Sequence, residues 1–283
     1  AGSTVIGPSL IDNESVTLSG IGTTTVVGIA STYRSAKVMV AINPDQEYTE
    51  YEYTQLNIVH NGDEVEVMEW GRMITTPDSW ATSGMGTFRG YIDGSNLKID
   101  FIPNSDVGIG TTGVINTTVV AMGDSTSTGI GTVDLNHAKL QCNTTGIAAA
   151  GSPGINTVAQ FSSDYECAYC FIQVTDATNQ AYQFSEFVVV TDFVSGETTE
   201  TFDTEWANVY SGNAGLGTLG SKCDSSGTVS ILFTPNASID TQVNVYMNAL
   251  KIADDTKSVI DLGNGYIQSG FGDYTGTESD IKR

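Results

Sequence analysis

The sequence predicts an all-β protein built of two tandem antiparallel β-sandwich modules, and three observations carry that expectation. Gly, Thr, Ser, Val and Ile dominate the 283 residues, while the helix-favouring Lys, Arg, Glu and Leu are scarce. Apolar residues alternate with polar ones at a period of two, as in Leu97-Lys98-Ile99-Asp100-Phe101, the pattern of a strand with one wet face. The third observation is an ordered internal repeat.

Five blocks make up the repeat. Thr25-Val26, Ser31, Tyr33 and Ala36 return as Thr157-Val158, Ser163, Tyr165 and Ala168, an offset of 132. Leu56-Asn57-Ile58-Val59 returns as Phe187-Val188-Val189-Val190 at offset 131, and Glu69-Trp70 as Glu205-Trp206 at offset 136. Gly84-Met85-Gly86-Thr87-Phe88 matches Gly215-Leu216-Gly217-Thr218-Leu219 at offset 131. Ile99, Phe101, Pro103 and Asn104 match Ile231, Phe233, Pro235 and Asn236 at offset 132. One order at nearly one spacing places two copies of a module at residues 10–125 and 126–252. The first module then takes in 1–125 with its N-terminal segment, and residues 253–283 are an extension or the start of a further module.

Within the first copy, strands are expected near residues 24–30, 34–42, 49–60, 64–69, 71–76, 86–92, 96–102 and 113–122. Asn61-Gly62 and Asp93-Gly94 are placed as hairpin turns because Gly tolerates the positive φ such turns need. Ser195-Gly196 and Ser226-Gly227 take those places in the second copy. Residues 123–129 read as a linker, and the small, Gly-rich stretch 142–154 reads as a long loop.

Charge narrows the function classes. The formal charge is −22, from 33 Asp plus Glu against 11 Lys plus Arg. A surface this acidic repels phosphate backbones and anionic lipid heads, so no nucleic acid and no membrane insertion is expected. No run approaches the ~18–20 apolar residues of a membrane span. Ala1-Gly2-Ser3-Thr4 lacks the basic and apolar regions of a signal peptide and an initiator Met, which reads as a processed or excised piece. Two histidines and few basic residues leave little for acid–base chemistry.

Candidate motifs each have a plainer explanation. Gly215-x-Gly217-x-x-Gly220 and Gly108-x-Gly110-x-x-Gly113 match a dinucleotide fingerprint, but no helical period follows either, so both read as turn glycines. Cys167 and Cys170 lie three apart on an expected strand and point to opposite faces, so with Cys142 and Cys223 they read as free thiols, with neither disulfide nor zinc. His60, at a hairpin turn, reads as solvated, and His137 has no companion ligand. The acidic run Asp45, Glu47, Glu50 and Glu52 is the one candidate for Ca²⁺ or Mg²⁺. A solvated acidic edge that discourages strand-to-strand aggregation explains the run equally well. Tyr48, Tyr51, Tyr53, Trp70 and Trp80 are candidates for a sugar platform, although Trp70 recurs as Trp206 and therefore reads as structural. No catalytic, cofactor-binding or metal residue is assigned.

Several of these strings carry a family likeness. Tyr33-Arg34-Ser35-Ala36-Lys37-Val38-Met39-Val40-Ala41-Ile42, with Glu52-Tyr53-Thr54-Gln55-Leu56-Asn57-Ile58-Val59-His60-Asn61-Gly62, resembles a module in virion structural proteins of tailed phages. The likeness is to marine cyanophage myoviruses above all. Glu69-Trp70-Gly71, Leu97-Lys98-Ile99-Asp100-Phe101-Ile102-Pro103 and the second-copy run Tyr210-Ser211-Gly212-Asn213-Ala214-Gly215 share the resemblance, which spans about residues 20–252. It implies a non-enzymatic part of the particle, in tail, fibre or another appendage, made in the host cytoplasm and assembled with copies of itself and other virion proteins. It brings no functional residues with it. The alternative expectation is an adhesin that binds a host receptor or surface glycan. The polar, Gly-rich end of the chain, Asn264 to Phe271 included, is expected to be a contact segment or to lead into a following domain.

Overall fold

The computed structural model describes residues 3–45, 50–75, 84–104, 112–123, 130–134, 138–148, 154–191, 200–212, 214–238, 240–250, 258–261 and 266–269. In the first half the strands are β1 (Ser3–Ile6), β2 (Ser9–Thr17), β3 (Thr24–Ala30), β4 (Tyr33–Asn43), β5 (Glu52–His60), β6 (Val65–Ile74), β7 (Gly86–Asp93), β8 (Asn96–Pro103) and β9 (Val114–Gly123). They form a six-stranded sheet in the order β1-β2-β9-β4-β5-β6 and a three-stranded sheet in the order β3-β8-β7. Every pairing is antiparallel.

The second half continues with β10 (Ile130–Asp134), β11 (Ala138–Ile147), β12 (Asn156–Ser162), β13 (Cys167–Asp176), β14 (Ala181–Thr191), β15 (Thr201–Tyr210), β16 (Gly217–Cys223), β17 (Thr228–Pro235) and β18 (Thr241–Leu250). Its sheets run β10-β11-β18-β13-β14-β15 and β12-β17-β16, the same order strand for strand. A further antiparallel hairpin, β19 (Ser258–Asp261) with β20 (Tyr266–Ser269), follows. The protein is therefore all-β, each half a large sheet facing a small one.

Alternation produces the two cores. On β4, Ala36, Val38, Val40 and Ile42 point inward, and on β8 Leu97, Ile99 and Phe101 meet them from the small sheet. Cys170, Ile172 and Val174 of β13 and Val229, Ile231 and Phe233 of β17 do the same in the second half. Each such aliphatic or Phe side chain, fully buried, contributes about 1.5–3 kcal/mol against exposure.

The recurring Pro-Asn has a mechanical reason. Asn104 Nδ2 donates to the Gly84 carbonyl at 2.8 Å and its backbone N–H to Met85 O at 2.9 Å. Asn236 makes the equivalent bonds to Gly215 O and Leu216 O, both at 2.8 Å. The glycine that follows, Gly86 or Gly217, lies under the ring of Phe101 or Phe233, where an added Cβ would sit 2.4 Å or 2.3 Å from a ring carbon. Only glycine lets the phenylalanine reach the core at that point.

Three expected boundaries differ. The expected strands at 64–69 and 71–76 are one strand, β6, carrying a bulge at which two of its residues face one of β5, between the pairs Gln55↔Trp70 and Tyr53↔Met73. Gly71 takes φ 67 there, a conformation glycine allows, so the strand bends without ending. Residues 142–147, expected as loop, belong to β11, which pairs along its whole length with β18. Its small and Thr-rich composition hides a strand whose Cys142, Thr144 and Ile147 are nonetheless buried. The N-terminal segment, where no strand is expected, supplies β1 and β2, which extend the large sheet beyond β9. At the turns, Gly62, Gly94 and Gly227 adopt φ of 109°, 61° and 81°, as hairpin glycines should. Ser195-Gly196 lies outside the described residues.

The same bulge recurs on β15, between Glu186↔Trp206 and Phe184↔Val209, but there the left-handed position is Ala207, at φ 52. An L residue in that region costs roughly 1–2 kcal/mol that glycine does not. Ala207→Gly should therefore raise unfolding stability by about 1 kcal/mol, and Gly71→Ala should lower it by at least as much. Urea denaturation of the two variants checks both signs.

Candidate functional site

The two large sheets pack face to face through the sides that point away from their own cores. Ile11, Val59, Val120 and Met122 of the first half form one buried cluster with Leu140, Phe171, Phe184, Val209 and Tyr246 of the second. Along β4 the inward residues are aliphatic, whereas the residues facing the other half include Ser35 and Lys37. That face is polar in sequence yet buried in the structure.

At its centre lies a charged group. Lys37 is 1% exposed and Glu186 is fully buried, with Lys37 Nζ 2.5 Å from Glu186 Oε1. Asn57, which pairs directly with Lys37 across the β4–β5 ladder, donates from Nδ2 to the same Oε1 at 2.8 Å and to Ala207 O at 3.1 Å. Tyr169 Oη donates to the other carboxylate oxygen. Lys37 Nζ also sits 3.9 Å from the centroid of the Trp70 ring. Burial pulls the Lys37 amine down to about 8, a shift that the Glu186 contact only partly offsets.

The surroundings repeat between the halves. Lys37 covers Trp70, and Tyr169, at the matching position of β13, stacks on Trp206 with centroids 5.9 Å apart. Around this centre, Ser35 Oγ donates to Gln173 Oε1 at 2.6 Å and Asn244 Nδ2 to Gly123 O at 2.6 Å, both across the junction. Arg34 lies over the Tyr182 ring at 5.6 Å.

Other sequence candidates go elsewhere. Glu52 is not on a solvated edge: it is buried, receives the Met85 N–H at 2.6 Å and lies 3.2 Å from Arg72 Nε. Burial raises its carboxyl above the usual range, against the pull of the Met85 N–H and Arg72. Gln183, its counterpart, accepts from the Leu216 N–H at 2.7 Å, so both positions tie the large sheet to the small one. Asp45 accepts from Thr112 Oγ1 at 2.5 Å, Glu50 precedes β5, and Glu47 lies outside the described residues. Among the described residues no three His, Cys, Asp or Glu side chains are placed to hold a metal ion.

Tyr51 is exposed, while Trp70 and Trp206 are engaged as described; Tyr48, Trp80 and His137 lie outside the described residues. Cys167 and Cys170 take opposite faces of β13, the first half-buried and the second in the core, and all four cysteines are free. Burial raises the Cys142 thiol to about 11 and that of Cys170 further still. Such thiols are poor nucleophiles. The edge strands β6 and β15 run beside each other and carry exposed Met68, Met73 and Phe202 among acidic residues.

The solvated turn expected of His60 is corrected. The side chain is fully buried, because β5 runs on to residue 60 and its ring turns into the fold toward the start of β4. Nε2 lies 2.8 Å from Tyr33 O, which can only accept, so the neutral ring carries its proton on Nε2. Nδ1 is buried without a hydrogen-bond partner. No sequence signal marked Lys37, Asn57 or Glu186, whose junction unites strands far apart along the chain. No family model, curated protein or solved structure matches the chain.

Protonating His60 would place an N–H without an acceptor in the interior, and burial, aided by Arg34, lowers its pKa below the ordinary value of 6.5. Below pH 6.5 the unfolded chain then holds a proton that the folded chain refuses, so this site loses stability as pH falls toward the folded pKa. Relative to His60→Gln, the wild-type protein should lose stability between pH 7 and pH 5 more steeply, by at most about 1.4 kcal/mol per pH unit. Urea midpoints of both proteins across that range measure the difference.

Proposed function

We infer that this chain is a non-enzymatic structural component of a phage virion, in tail, fibre or other appendage, built from two copies of one sandwich. The observation that carries the reading is the junction: a buried, hydrogen-bonded face that makes two modules into one stiff element. Matched strand order, matched Pro-Asn turns and the Trp70 and Trp206 positions support the duplication. Buried ionisable groups are used in construction. Lys37 and Glu186 join the halves, Glu52 joins two sheets, and Asp176 caps the turn after β13 by accepting from the Thr178 and Asn179 N–H groups.

Self-association and contact with other virion proteins would use the exposed edges. Acidic side chains there suppress indiscriminate pairing, while Met68, Met73 and Phe202 offer apolar area to a chosen neighbour. The adhesin reading has less behind it, since Trp70 and Trp206 are half-buried and each has a ring face occupied, by Lys37 and by Tyr169.

Mass spectrometry of gradient-purified particles, with immunogold labelling, tests the assignment. The expected result is the chain in fixed copy number, with label on the tail or an appendage. Recovery of the chain only from the soluble lysate, with none in the particle, would contradict it.

A further inference from the structure

We propose that Lys37 and Asn57 are the reactants of an intramolecular amide cross-link, formed between Lys37 Nζ and Asn57 Cγ, with Glu186 of the opposite module as the acid–base residue. The juxtaposition is specific. Lys37 and Asn57 are directly paired residues on adjacent strands, and both point into the junction. Glu186 Oε1 touches both the amine, at 2.5 Å, and the amide nitrogen that would leave, at 2.8 Å. The two nitrogens are thus no farther apart than those two contacts laid end to end.

Amines do not attack unactivated amides in water at a useful rate; three conditions change that. The amine must lose its proton, the leaving nitrogen must gain one, and the partners must be held together away from competing water. Each condition has a counterpart here. Lys37, Asn57 and Glu186 are 1%, 0% and 0% exposed, so the site excludes bulk solvent. Burial eases deprotonation of the Lys37 amine, the direction needed for a nucleophile. Asn57 Oδ1 is buried with no hydrogen-bond partner, while its Nδ2 is held by Glu186 and Ala207 O. Tyr169 fixes the carboxylate from its other oxygen.

The step balances without any further reactant. Starting from the ammonium, Lys37 gives a proton to Glu186, and the freed lone pair on Nζ attacks Asn57 Cγ. The C–N bond to Nδ2 then breaks with its electrons on Nδ2. In all, two of the three Nζ protons pass through the carboxylate to Nδ2, which departs as ammonium. Glu186 ends as it began, and Nζ retains one hydrogen in a secondary amide. Glu186 is a poor acyl donor itself, because its carboxylate would have to expel an oxide or hydroxide; the amide loses ammonia instead. Since the acid–base residue comes from the second module, the cross-link would form only once both modules have folded and docked.

Intact-mass analysis of the full chain, kept folded until its mass is constant and then denatured, is the test. The expected result is a loss of about 17 Da, one ammonia. Trypsin should then fail to cut after Lys37, giving residues 35–72 as one looped peptide whose fragmentation joins Lys37 to Asn57. Glu186→Gln and Lys37→Arg should keep the full mass. The wild-type protein decides even where a variant fails to fold. An unchanged mass with normal cleavage after Lys37 would overturn the proposal and leave an ion pair only. The same loss mapped to a succinimide elsewhere, as at Asn61-Gly62, would overturn it too, and a cross-link surviving in Glu186→Gln would overturn the role of Glu186.

Discussion

Lys37 and Glu186 leave water together when the two halves dock, and the register of that docking depends on their meeting. Burying an ammonium or a carboxylate alone is costly, and removing one member of a buried pair typically costs about 3–5 kcal/mol. The apolar residues around them, Val59, Val120, Phe171 and Tyr246 among them, supply most of the attraction between the large sheets. Apolar contact has no preferred register, however. A sheet that slid by one residue would bring Asn57, Ser35 and Gln173 away from their partners and strand both charges. The polar centre thus selects one position out of many that the apolar surface would tolerate.

This constraint explains why a β-sheet face that is wet in an ordinary sandwich is dry here. Each large sheet has two buried faces, one toward its own small sheet and one toward the other half. The first is filled by the inward residues of β4, β5 and β9 and the second by the alternate ones. Lys37 can occupy the second face only because Glu186, Asn57 and the Trp70 ring surround it. Tyr169 occupies the corresponding place on β13 and needs no counter-charge, so the two halves differ in chemistry while filling the same space over a tryptophan.

The sequence made the strand class and most strands of both cores legible, because Leu97-Ile99-Phe101 and its like obey a period of two on a one-sided surface. Gly-rich turns at Gly62, Gly94 and Gly227 were legible for the same local reason. What escaped had non-local causes. β11 pairs along its whole length with β18, and its Leu140, Cys142 and Ile147 find their burial only against strands distant in sequence, while Gly71 marks a bulge where a strand end is expected. Lys37, Asn57, Glu186 and His60 look like wet positions in any window of the chain. Only the stacking of one half on the other buries the first three, and only the fold of the first half buries His60. Sequence separation, 149 residues between Lys37 and Glu186, is what hid the site.

The junction should make the two sandwiches one cooperative body. Hydrogen exchange followed peptide by peptide through a urea series measures this directly. Peptides from β4 and β5 and peptides from β13 and β14 should lose protection together, at one urea concentration. If one half opened while the other kept its full protection, the junction would be no more than a contact between independent modules.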